Sequence, residues 1–151
     1  MTLAYRRAAL ADCDPTTLYR MLQLRVDVFV VEQECAYPEL DGRDLEPTAE
    51  LLWAEENEAV LGTLRILRDP DAMRIGRVVT AAAARGRGVA AALMTQAVER
   101  CGETDATLPI VLGAQAHLAD WYARFGFVVS GDRYQEDGIP HVPMTRAAAG
   151  G

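Results

Sequence analysis

Apolar side chains recur at helical spacing through Leu18, Met21, Leu22 and Phe29, with Arg25 on the same face, and Asp14-Pro15 just ahead has the form of a helix start. The spacing predicts a helix over residues 16–30. Between residues 32 and 50 the pattern breaks. Pro38, Gly42 and Pro47 interrupt a stretch rich in acidic and poor in apolar residues, which predicts a long loop or broken helix. Two β-rich runs, 51–55 and 60–67, flank Glu56-Asn57-Glu58-Ala59 and read as an antiparallel hairpin. Asp69-Pro70-Asp71 turns the chain, and residues 74–80 read as a central strand. The glycine turn Arg85-Gly86-Arg87-Gly88 then leads into a helical pattern from Val89 to about Cys101.

The second half repeats the alternation. Residues 108–113 form an apolar run of strand type, 118–125 a short helix with Gly126 at its C-terminal end, and 127–131 and 141–145 two further strands. Residues 3–9 predict an edge strand, and the small residues 147–151 predict a disordered tail. No internal repeat breaks the chain into units, so residues 1–146 are read as one domain.

Composition narrows the class. With 151 residues, half of them apolar and a quarter charged, the chain can bury a substantial core. No run approaches the roughly 20 apolar residues that cross a bilayer, and the N-terminus lacks a signal pattern, so the cytoplasm is the expected compartment and a membrane partner is not. A net charge of −7 opposes nucleic-acid binding. The acidity suits a cationic acceptor or serves solubility alone. The three cysteines match no zinc or redox spacing: Cys101 reads as a small core hydrophobe, and Cys35 as a loop thiol. All fifteen basic side chains are arginine, which excludes a lysine Schiff base.

Candidate chemistry concentrates at Arg85-Gly86-Arg87-Gly88-Val89-Ala90. Glycines between a strand and a helix let backbone approach a ligand, and the free amides of the first helical turn favour an anion, to which Arg85 and Arg87 add charge. A solvated turn is the plain alternative. The spacing R-x-x-G-x-A at Arg85, Gly88 and Ala90 resembles the acetyl-CoA pyrophosphate loop of the GCN5-related N-acetyltransferase (GNAT) family. Tyr122-Ala123-Arg124-Phe125-Gly126-Phe127 is similar to that family's Y-x-x-x-G-F signature. Leu24-Arg25, Val28-Phe29-Val30-Val31-Glu32-Gln33, Asp41-Gly42, Gly113-Ala114-Gln115-Ala116-His117-Leu118 and Glu136-Asp137-Gly138-Ile139-Pro140-His141 narrow the resemblance to the ElaA-like branch over residues 18–146.

The resemblance implies an α/β GNAT domain whose mixed central sheet, flanked by helices, splays between its fourth and fifth strands, here 74–80 and 108–114. It implies acetyl-CoA as cosubstrate, with no metal, and direct transfer to a small-molecule or peptide amine in a ternary complex. The pantetheine arm would bond backbone near Val78, Val79 and Thr80, the pyrophosphate would meet Arg85 to Ala90, and Gln115 replaces the family's usual asparagine. Tyr122 matches the tyrosine that often protonates the departing thiolate, with core packing beside Trp121 as its alternative role. For the base, Glu32 comes first and His141 next, since histidine titrates near neutral pH, with Glu136 and Asp137 close by. Glu39, Asp41, Asp44 and Glu46 are candidates to line an acceptor pocket, or else form a solvated acidic loop, and Glu136 is a further candidate for that pocket. Glu50 stands where the branch more often has histidine. A CoA-binding protein without catalysis and a protein-interaction module are the competing functional classes, and a homodimer is left open because dimers are common in the family.

Overall fold

The computed structural model describes residues 2–149, so Met1 and the last two glycines of the expected tail lie outside the described residues. The order is β1 (Ala4–Ala8), α1 (Pro15–Val26), β2 (Glu50–Glu56), β3 (Ala59–Arg68), β4 (Met73–Thr80), α2 (Val89–Thr104), β5 (Ile110–Gln115), α3 (Ala119–Ala123), β6 (Val128–Val129), β7 (Tyr134–Glu136) and β8 (Ile139–Arg146). One mixed sheet runs β1-β2-β3-β4-β5-β8-β6, with β7 also on β8. All neighbours are antiparallel except β4 and β5, joined through α2 as a crossover.

Asp14 caps α1 by accepting from the Thr17 amide at 3.1 Å, and Pro15 occupies the first turn, where no intrahelical donor is needed. The helix does not run on regularly to Val30 as its spacing predicts. Residues Asp27–Glu32 form a π-helical turn instead. The run Val28-Phe29-Val30-Val31 crowds a regular helix, and the wider turn keeps Leu24 and Val28 against Val79. On the other face of the sheet, α2 buries Val89, Leu93, Met94, Ala97 and Cys101 against β2 to β5. Each fully buried large apolar side chain there contributes roughly 1.5–3 kcal/mol.

The strands toward the C-terminus depart most from those the pattern predicts. The strand expected at 127–131 shrinks to Val128–Val129, and the last strand starts two residues early, at Ile139. An extra strand, β7, forms a hairpin with β8 across Asp137 (φ +51°) and Gly138 (φ +79°), the two positive dihedrals of a type I′ turn. Ala147 to Ala149 carry no helix or strand.

The acidic segment between α1 and β2 is folded onto the sheet by ion pairs. Arg25, 2% exposed, donates Nε to Glu39 at 2.8 Å and Nη1 to Asp44 at 2.8 Å. Arg65 holds Asp41 through two 2.8 Å bonds and reaches Asp44 at 3.3 Å. Arg77 lies 2.8 Å from Glu39 and 3.2 Å from Asp41, and Tyr37 donates its hydroxyl to Glu39. Glu39 and Asp44 are therefore buried and paired, not solvated surface.

Hydrogen bonds from Arg65 hold the Asp41 carboxyl well below the usual carboxylate range. Burial would raise Asp44, but Arg25's hydrogen bond and the charges of Arg25 and Arg65 outweigh it and hold this carboxyl low as well. Depressed carboxyls stabilise the folded state fully above the unfolded-state pKa of about 3.9, and that stability drains away as pH falls below it. Arg25→Gln is expected to lower the unfolding free energy in urea at pH 7 by about 3–5 kcal/mol, because two buried carboxylates each lose one of their two arginine partners and the glutamine cannot carry the charge. The gap from wild type should narrow below about pH 4. A loss under about 1 kcal/mol would show that the pairs merely decorate a loop held by other contacts.

Candidate active site

β4 and β5 are in register only at Met73 with Ile110 and Arg74 with Val111. Beyond that point they diverge, leaving backbone groups on their facing edges without a strand partner and opening a cleft of about 840 Å³. A bulge shapes one wall. Arg65 pairs with Gly76 and Thr63 with Val79, so Leu64 faces both Arg77 and Val78, and Arg77 takes φ +55°. The ties from Arg77 to Glu39 and Asp41 hold that uncommon conformation. Val78, Val79 and Thr80 all border the cleft; Val79 packs on Leu24 of α1 while Val78 packs against the main core.

The glycine loop ends at the mouth of this cleft. Gly88 is the residue before α2, at φ +77°, and no side chain caps the helix, so the amides of its first turn have no partner from the helix. A Cβ built on Gly86 or Gly88 meets nothing within 4 Å. Of the predicted loop residues, Arg85 and Ala90 line the cleft, whereas the Val89 side chain lies in the core. Both arginines have carboxylate partners: Arg85 donates to Glu32 at 2.7 Å, and Arg87 to Glu56 at 3.2 and 3.0 Å.

Tyr122 lies on α3, edge-on to Trp121, and borders the cleft while only 8% exposed. Burial pushes its phenol up to about 12, so it carries its proton throughout the physiological range. Glu32 also borders the cleft, but Arg85 holds its carboxylate. The His141 Nδ1 lies 2.8 Å from the Ile139 carbonyl, which can only accept; in the neutral ring the proton thus sits on Nδ1 and the lone pair on Nε2. Glu136 is 3.7 Å from that Nε2, and the Tyr134 ring stacks on the imidazole at 5.6 Å.

Among the other predicted residues, Gln115 borders the cleft and donates to Gln33 at 3.2 Å. Asp41 and Glu136 reach the cleft, whereas Glu39 and Asp44 sit in the arginine network behind it. Of these pocket candidates, Glu39 and Asp44 thus brace the wall, while Asp41 and Glu136 border the opening. Glu50 lies outside the cleft, bound by Arg100 at 2.8 and 3.0 Å. Cys35 is buried and donates its thiol to the Asp137 carbonyl at 3.2 Å, linking the acidic segment to the β7–β8 hairpin. Tyr37, Arg74, Arg77 and Tyr134 are cleft residues that pattern reading passes over. The Asp137-Gly138 pair was the available signal for Tyr134, because a two-residue turn of that type implies a strand on either side.

A splayed parallel pair, a bulged strand and a glycine loop at a helix start define the acyl-CoA N-acyltransferase architecture. A family model for the acetyltransferase (GNAT) domain matches residues 18–148. The UPF0039 protein Rv2851c of Mycobacterium tuberculosis is 44% identical over 155 residues, covering 99% of this chain and 97% of the relative. Protein ElaA of Escherichia coli K12 is 42% identical over 139 residues, covering 90% and 91%. The crystal structure of an acyl-CoA N-acyltransferase from Pseudomonas aeruginosa superposes with a TM-score of 0.91 at 43% identity, covering 97% of this chain and 100% of that one. The chain belongs to the GNAT family, in its ElaA-like branch.

Gly88→Val places a branched side chain in the open space before the α2 amides and in a backbone conformation such side chains resist. CoA affinity measured by calorimetry is expected to fall about 10-fold or more, with the melting temperature lower by only a few degrees. Unchanged affinity would remove the loop from the ligand site.

Proposed function

We propose that this protein transfers the acetyl group of acetyl-CoA to a primary amine by direct attack within a ternary complex. The observation that carries the reading is the convergence of Tyr122 and His141 on one cleft, whose far end is the uncapped start of α2. The α2 amides and Arg85 suit a pyrophosphate; Arg85 would exchange Glu32 for phosphate oxygens. The free backbone edge of β4 suits an extended pantetheine arm, and the extra residue of the bulge offers an amide to the thioester oxygen.

An amine that arrives protonated first gives up a proton. The Nε2 lone pair of His141 is the group in the cleft best oriented to take it, because Glu32 is already occupied by Arg85. The amine nitrogen then forms a bond to the thioester carbon, the carbon–sulfur bond breaks, the thiolate leaves with the electron pair, and the second proton shed by the nitrogen ends on that thiolate, by way of water. With its phenol near 12, Tyr122 always holds a proton, but full transfer to a thiolate of about 8.5 runs uphill. Hydrogen bonding to the departing sulfur, rather than early proton release, is the role that fits this acidity.

Tyr122→Phe is expected to lower kcat for thioester loss from acetyl-CoA by about 100-fold with any accepted amine, while CoA affinity in calorimetry changes less than about 2-fold. His141→Gln should lower kcat without moving CoA affinity. Wild-type turnover in Tyr122→Phe would exclude the tyrosine from the chemistry. Tight CoA binding with no turnover on a broad amine panel would sink the transferase reading.

A further inference from the structure

The acceptor end of the cleft has opposite charges on either side of an aromatic surface. Arg74 is the last β4 residue in register with β5, so its position is fixed where the strands begin to part. Its Nε donates to Asp69 Oδ2 at 2.8 Å, which sets the guanidinium plane, and Asp69 is itself held by Arg43 at 2.6 Å. Among the described residues no protein acceptor takes Nη1 or Nη2, and the side chain is 42% exposed along the cleft. A planar guanidinium held by one nitrogen, with its two terminal nitrogens side by side and free, presents the paired donors that a carboxylate accepts.

Tyr134 stands between this arginine and the proposed base. Its hydroxyl occupies the space a Cβ at position 113 would fill, so the bare backbone of Gly113 lets the ring lie over β5 and a side chain there would displace it. Gly113 is two residues along β5 from Val111, the partner of Arg74, so the ring reaches from His141 toward the arginine. On the Glu136 side the ring stacks on His141. The expectation of a polycation drawn to acidic walls meets a different wall here. Glu39 and Asp44 are closed off by Arg25 and Arg77, and Asp41 is answered by Arg65.

Resting on the transferase reading above, we propose that the acceptor is an amino acid, whose carboxylate binds the Nη edge of Arg74 while its amine lies at His141 and Glu136. Tyr134 forms the wall between the two ends. Arg74 is then a specificity-determining residue, and a molecule with an amine but no carboxylate loses its anchor.

The test measures CoA thiol release by the purified chain with the free L-amino acids, their carboxamides, phosphoethanolamine and spermidine, each with wild type, Arg74→Gln and Arg74→Lys. The expected result is at least one amino acid whose kcat/KM exceeds that of its carboxamide by about 10-fold or more. In Arg74→Gln that ratio should collapse toward one, mainly through KM, and Arg74→Lys should restore part of it. Equal use of acid and carboxamide, or an undiminished ratio in Arg74→Gln, would overturn the assignment. A preference for spermidine or for phosphoethanolamine overturns it while leaving the transferase reading standing. Turnover of no amine at all overturns both.

Discussion

Charge pairing between three arginines and three carboxylates decides how this chain closes over its sheet. Arg65 and Arg77 project from β3 and β4, and Arg25 from α1, into a space a simpler protein would fill with apolar side chains. Buried guanidinium is costly unless its charge and donors are met. Glu39, Asp41 and Asp44 meet them, and the segment that carries these residues is drawn across the sheet in consequence. The same pairs anchor Arg77 at the bulge, so the wall of the cleft and the fold of the acidic segment are one electrostatic unit. Arg77 Nε, close to Glu39 yet without an aligned hydrogen bond, shows that the unit is fitted by charge more than by ideal bond geometry.

Local patterning made most elements legible. The Asp14-Pro15 start, the β2–β3 hairpin and the apolar face of α2 are properties of adjacent residues, and each appears near the predicted place. The splay between β4 and β5 was reachable only through family resemblance, because apolar periodicity does not say where two parallel strands part company. The acidic segment misled for a related reason. Its carboxylates look solvated when their neighbours in sequence are counted, and the arginines that neutralise them come from α1, β3 and β4. The hairpin holding Tyr134 was legible in Asp137-Gly138, but its three-residue exposed strand has no apolar alternation to attract notice.

Net charge, for the same reason, says little about what the cleft receives. The chain is acidic overall, yet the arginines bordering the cleft are at least as numerous as the carboxylates there. What a ligand senses is the residue left after internal pairing, because a charge already matched at close range projects a weak field beyond a Debye length of about 8–10 Å. At the mouth, Glu32 masks Arg85 and Glu56 masks Arg87. On the proposed reading, a pyrophosphate entering here would have to displace Glu32 to use Arg85, and the uncapped α2 amides are the part of the mouth that would need no rearrangement.

At the opposite end the balance is reversed. Asp69 is shared between Arg43 and Arg74, so Arg74 is oriented by a carboxylate that also satisfies another cation and leaves its outer nitrogens for a ligand. The tyrosine stacked on His141 reaches over Gly113, and among the described residues Arg74 and Glu136 form no ion pair with each other. An open cleft that holds opposite charges apart stays hydrated until a molecule carrying both complementary charges bridges it. Such a molecule gains two charge-assisted contacts at once, whereas one bearing a single charge leaves the other end of the cleft unmatched.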